Sequence, residues 1–174
     1  MNGYYIRELG PQDLADRLVP FFQRAGLLPP GVPTPEQRER LLQAVPLLRE
    51  RIKRLAEAPA IVDFLFRDGL SYDAGLLVQK GMSPEQTRAS LVAARGALEG
   101  VADWTAEELE ARLRPLAEAL NVKTGQLFGA LRVATTGRTA APPLFETMAV
   151  LGRARTLERV EKAIRLLETR DRRR

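Results

Sequence analysis

The chain has 174 residues, 45% of them hydrophobic, a formal net charge of +5, and neither cysteine nor histidine. That length suits one domain or two small ones and lets roughly 70% of the unfolded surface be buried, so folding needs no disulfide or metal. The missing side chains exclude thiol nucleophiles, zinc fingers, imidazole bases and Ser-His-Asp triads, and no apolar run approaches the ~20 residues that span a bilayer, so a soluble, cytoplasmic protein with no membrane partner is expected.

Most of the positive excess sits in the terminal run Arg170, Asp171, Arg172, Arg173 and Arg174; the body is close to balanced. The kind of cation says more than the sum. There are 23 arginines against 4 lysines. Guanidinium groups bind phosphates and base edges bidentately and stack on bases, which suits nucleic acid. A composition also rich in Ala, Leu, Gly and Pro offers the other explanation, a high-GC coding bias.

Taken in chain order, the dominant period is helical. Leu14, Leu18, Phe21 and Ala25 form a first apolar stripe, and Gly26–Pro33 breaks it with a stiff, proline-rich turn. Thr34-Pro35-Glu36-Gln37 then opens a second helix with a hydroxyl cap, a proline in the first turn and a capping-box glutamine. Its stripe, Leu41, Val45, Leu48, Ile52 and Leu55, predicts a helix running through Leu55. Arg67–Asp73 is a second break and the candidate junction, dividing the chain into 1–66 and 67–174. Ser83-Pro84-Glu85-Gln86 repeats the start signal, Gly100–Trp104 closes that helix, and Thr105-Ala106-Glu107-Glu108 opens the stripe Leu109, Leu113, Leu116, Leu120. Leu157, Val160, Ile164 and Leu167 mark the last helix. No segment alternates as a strand does. The expected fold is all-α, about eight helices in two small subdomains.

Lys123–Gly137 has the look of a phosphate loop, but its lysine precedes the glycine and no strand leads in. It reads instead as a helix from near Thr124 with Gly137 as C-cap. Arg132 lies in its last turns, as a dipole partner, a surface charge or a ligand contact. Arg49, Arg51, Lys53 and Arg54 crowd the end of the second helix. Placed on that helix, Arg51 lies about 80° from the stripe centre, on the border of the buried face; a solvated charged face is the other reading. Asp103, Glu107, Glu108 and Glu110 stand where a helix dipole favours acids, so capping explains them better than catalysis. Trp104 reads as a packing anchor. Tyr4 and Tyr5 suit packing, with base stacking the alternative. The residue inventory gives an independent enzyme almost no support, and a helical protein–protein module without an RNA role remains the alternative function.

Three segments, in order, resemble the C-terminal anticodon-binding region of bacterial glutamyl-tRNA synthetases. The opening Met1-Asn2-Gly3-Tyr4-Tyr5-Ile6-Arg7 is similar to a Trp-Met-Asn-x-x-Tyr-Ile-Arg run of that family. Leu47–Leu55 followed by Phe64-Leu65-Phe66 matches its first helical domain. The third segment runs through Lys123–Phe128, Leu131-Arg132-Val133, Thr136-Gly137, Pro142–Glu146 and Leu151-Gly152-Arg153. The closing helix fits as well, with Arg159 and Ile164.

The resemblance implies two helical subdomains forming an α-helix cage that grips the anticodon of tRNA-Glu. It implies that Arg51 donates to the cytosine at the third anticodon base and rejects guanine there. Arg132 falls on the family's other anticodon-contacting arginine. The Thr136-to-Leu144 loop, with Thr136, Gly137, Ala141, Pro142 and Leu144, falls on the loop that cradles unstacked bases, Leu144 supplying the apolar contact. Ala141 stands where a hydroxyl residue is usual, so one side-chain hydrogen bond is missing. Arg7 is implied as a tRNA backbone contact. The family's catalytic motifs, of His-Ile-Gly-His and Lys-Met-Ser-Lys-Ser type, are absent. The chain is therefore expected to be a fragment that partners a catalytic domain. ATP and Mg belong to that domain, and no cofactor is expected here, nor DNA as a partner.

Overall fold

The start signals read above are where the helices begin. In the computed structural model, which describes residues 2–173, Gln37 N donates to the Thr34 hydroxyl (3.2 Å) while Thr34 N donates to Gln37 Oε1 (2.9 Å). Ser83 and Gln86 make the same reciprocal pair at 3.1 and 2.9 Å. Thr105 caps with one arm, accepting from Glu108 N at 3.3 Å. Met1 and Arg174, which belong to the opening and terminal runs discussed above, lie outside the described residues.

Nine α-helices and no strand occur among those residues. They are α1 (Gly3–Glu8), α2 (Pro11–Arg24), α3 (Pro35–Leu48), α4 (Ala58–Val62), α5 (Pro84–Glu99), α6 (Ala106–Ala119), α7 (Thr124–Thr136), α8 (Leu144–Leu151) and α9 (Arg153–Asp171), with short 3-10 turns at Leu55–Glu57, Asp63–Leu65 and Ala74–Leu77. The chain separates into two compact units, one ending at Asp68 and the next beginning at Gly69, inside the Arg67–Asp73 break.

In the first unit α2 packs on α3, and α4 closes on both. Its core is Ile6, Leu14, Leu18, Phe22, Leu41, Leu48 and Phe64, all at most 1% exposed. Phe66 packs its ring 4.9 Å from that of Phe22. The proline-rich turn is held by one side chain, Gln23, whose amide donates to Pro29 O (3.0 Å) and Gly31 O (2.7 Å). One expectation is corrected: α3 does not run through Leu55. It stops at Leu48, and Arg51 N and Ile52 N both turn back to Leu48 O at 2.8 and 3.0 Å. The stripe seemed to continue because the turn itself buries Ile52, which a periodicity of apolar residues cannot tell from another helical turn.

In the second unit α5 and α9 pack along each other, with α6, α7 and α8 around them. Leu91, Leu98, Leu109, Leu113, Leu127, Leu131, Met148, Val160 and Leu167 are fully buried at its centre. Helix stops are explicit. Asn121 takes a left-handed φ of 55° after α6, with Asn121 N on Glu118 O and Val122 N on Ala117 O, each at 3.0 Å, a Schellman motif. Gly137 takes φ 78° after α7 and donates to Val133 O at 2.7 Å, as the C-cap reading predicts.

Replacing Ser83 by alanine removes one arm of the α5 capping box. It is expected to lower unfolding stability by about 1 kcal/mol in urea titration without loss of helical content.

Candidate nucleic-acid interface

In the first unit the cationic crowd after α3 divides by role. Arg49 is half-buried and donates through Nη2 to Leu9 O at 3.0 Å, tying the α1–α2 link to the end of α3. Arg51 sits in the turn beyond α3, not on the helix, and is exposed. Its Nη1 donates to Leu47 O at 2.9 Å, so one corner of the guanidinium is fixed by a helix-end carbonyl. The next residues are braced from below. Glu57 Oε2 accepts from Lys53 N (2.8 Å) and Arg54 N (3.4 Å), and these amides hold its carboxyl below the ordinary range. Gly3 lies directly against Lys53, where a Cβ would meet the Lys53 Cα at 3.5 Å. This close approach makes a concavity lined by Asn2, Gly3, Tyr4, Arg7, Lys53 and Arg54. Tyr4 and Tyr5 stand 64% and 61% exposed beside it, edge to face at 5.9 Å. They are therefore surface groups and not core packing.

In the second unit the site is built on the end of α7. Arg132 is half-buried, and its guanidinium makes no hydrogen bond or ion pair with a described residue. Its carbonyl receives the Thr136 hydroxyl at 2.6 Å. The loop that follows is pinned at both ends. At its start, Arg138 N turns back to Thr136 Oγ1 at 3.4 Å. At its far end, Thr147, fully buried, donates its hydroxyl to Pro142 O (3.4 Å) and its amide to Pro143 O (3.0 Å). Gly137 and Ala141 are half-exposed, whereas Thr136 and Pro142 are buried. Leu144 is the residue of which an apolar base contact is expected. Leu144 is 4% exposed and packs into the core, because with Met148 and Leu151 it forms the inward stripe of α8. Its part is to anchor the loop.

Against the last turn of α7 lies a group to which the sequence assigned no role. Arg159, on α9, is only 4% exposed, and its Nη1 donates to Thr135 O at 2.7 Å. It shares the buried face of α9 with Thr156, Val160, Ala163, Ile164 and Leu167. A cation on an apolar stripe is the signal that could have found it. Burial lowers its pKa to about 10, with Arg155 acting the same way and Glu158 and Tyr72 opposing, so it stays charged at neutral pH. Tyr72 packs on the cap, its ring 3.5 Å from where a Cβ of residue 137 would lie. Burial pushes its phenol up to about 12 against the pull of Arg159.

Other readings resolve as packing. Trp104 donates Nε1 to Met148 O at 2.8 Å and carries the Arg153 guanidinium 5.0 Å over its ring, the anchor expected. Arg153 also donates to the carbonyls of Val101 and Ala102 beyond α5. Glu110 pairs with Arg114 at 2.5 Å on the surface of α6. Arg170 lies in the last turn of α9, and Asp171 ends it. No helix among the described residues is long and apolar enough to cross a membrane.

Each helical unit presents arginine beside accessible backbone, Arg51 exposed in the first and Arg132 half-buried next to the half-exposed Gly137 in the second, the class of side chain that binds bases and phosphates. The family model described as the anticodon binding domain matches residues 13–164, and the chain belongs to that family. It is 53% identical over 167 residues to the glutamate–tRNA ligase of Roseiflexus castenholzii, covering 96% of this chain and 33% of that protein. It is 48% identical over 172 residues to the glutamate–tRNA ligase of Chloroflexus aurantiacus, covering 97% and 34%. A solved glutamate tRNA ligase from Elizabethkingia meningosepticum shares the fold with a TM-score of 0.76 over 94% of this chain and 31% of that one, at 22% identity. The chain thus spans about a third of the length of the curated relatives it matches.

Tyr72 holds its proton more tightly folded than unfolded, so its contribution to stability is complete below pH 10 and is lost as pH rises towards 12. Urea unfolding of wild type and Tyr72→Phe at a series of pH values is expected to show their stability difference shrinking over that window; a difference independent of pH would contradict the assignment.

Proposed function

We propose that this chain is the anticodon-reading part of a glutamate–tRNA ligase, contributing binding and discrimination for glutamyl-tRNA formation in the cytoplasm. Its partners are tRNA-Glu and the catalytic domain of the same synthetase. ATP and Mg2+ are handled by that domain, and the chain alone neither activates glutamate nor charges tRNA.

Arg51 carries the reading. A guanidinium steadied at one corner by the Leu47 carbonyl is a directional donor. Directional donors select a base by what they leave unpaired as well as by what they bond. In this reading Arg51 donates to the cytosine at the third anticodon position and rejects a guanine. Arg132, half-buried at the end of α7, donates to another anticodon base, and the half-exposed backbone at Gly137 and Ala141 meets unstacked bases. Arg7, with Lys53 and Arg54 around the same concavity, meets the phosphate backbone.

The test is binding of tRNA-Glu and of a variant carrying G at the third anticodon base, at several salt concentrations. Wild type is expected to prefer the cytosine form and to weaken with salt. Arg51→Gln is expected to lose about tenfold of that preference, the worth of one bidentate base contact, with its circular dichroism unchanged. An unaltered preference would refute the role of Arg51. Binding that ignores both anticodon and salt would favour a helical protein–protein module.

A further inference from the structure

We propose that Arg159 is a positioning residue for base recognition: its buried guanidinium sets the last turn of α7, from which both Arg132 and the 138–143 loop depart. The inference rests on the anticodon-reading function above.

An α-helix ends with carbonyls that no amide of its own can reach. At the end of α7, Gly137 N serves Val133 O, and the Thr136 hydroxyl serves Arg132 O. Thr135 O, one residue from the turn, is served by Arg159 Nη1 at 2.7 Å. The surroundings leave that turn little freedom. Thr135 is fully buried and donates its hydroxyl to Leu131 O at 2.8 Å. Tyr72 and Leu70 pack against Gly137, within 3.5–3.7 Å of where a Cβ would lie. The charged and titratable groups that act on Arg159 include Arg155 and Glu158 on its own helix and Tyr72. The carbonyl end of α7 adds to the attraction that Glu158 supplies. The rotation of α7 at Thr135 therefore depends on a planar, fixed donor. A change there swings Arg132, three residues back, and displaces the start of the loop. Arg159 itself is too buried to touch RNA.

The experiment uses the whole chain and anticodon stem–loop RNAs in which each of the three anticodon bases is changed in turn. Preference is the affinity for the glutamate sequence over each changed one. Arg159→Met is expected to lose about tenfold of the preference at the base read by Arg132. It should keep the preference at the third base, which Arg51 reads from the other unit. Arg159→Lys keeps the charge but not the fork, and a loss of about threefold is expected; it carries the test should the methionine variant fail to fold. Leu98→Ala weakens the same unit from the core of α5 and is expected to leave both preferences in place. If both Arg159 variants keep every preference, or if Leu98→Ala loses as much, the positioning role is overturned while the anticodon reading stands. If wild type has no preference at any base, the anticodon reading falls first and this inference with it.

Discussion

The last carbonyls of an α-helix need donors from elsewhere, and this chain supplies them with guanidinium groups. Arg51 meets Leu47 O beyond α3, and Arg112 meets Ala97 O and Gly100 O beyond α5. Arg153 reaches Glu99 O at the end of α5 as well as the carbonyl of Val101 just beyond it, and Arg159 meets Thr135 O in α7. A planar fork can serve two carbonyls at once, as Arg112 and Arg153 do, and it places positive charge where the helix dipole favours it. A charge-assisted hydrogen bond of this kind contributes about 1.5–3 kcal/mol when shielded from water, and less on the surface. The preference for arginine over lysine therefore has a structural use as well as any coding cause, because a lysine ammonium is a point donor without the fork.

The same chemistry joins stability to recognition. A guanidinium with one corner on a backbone carbonyl has lost much of its rotational freedom before any ligand arrives, which is the state of Arg51. Arg132 is the complementary case: its carbonyl is fixed by the Thr136 hydroxyl, and its side chain is half-buried at the end of α7. Arg159 is the extreme, fully committed to the protein. The three form a series from exposed to buried, and a residue's place in it follows from which carbonyl lies within reach.

Much of this could be read from residue order. Thr34, Ser83 and Thr105 mark helix starts because capping is local chemistry, complete within four residues. Gly137 marks a stop for the same reason, since φ of 78° favours a residue without Cβ. What was hidden depends on contacts between distant segments. The stripe through Ile52 and Leu55 looked helical, yet the chain turns after Leu48 and buries Ile52 in the turn. Leu144 matched a base-contacting position by order, but only the packing of α8 shows which way it faces. Arg159 carried a legible anomaly, a charge among Thr156, Val160 and Ala163, but its partner on α7 lies 24 residues away in sequence. Tyr4 and Tyr5 could have been core or surface until their exposure decided it.

The loop between α7 and α8 bears on where adaptation occurs when a ligand arrives. With Gly137 capping one end and Thr147 holding the carbonyls of Pro142 and Pro143 at the other, only the few residues between them remain to rearrange. A segment set in advance surrenders little entropy on association, so more of each contact's energy remains as affinity. In the anticodon reading proposed above, the visitor must do the bending, and a strand that resists unstacking is penalised by its own stiffness before any base is inspected.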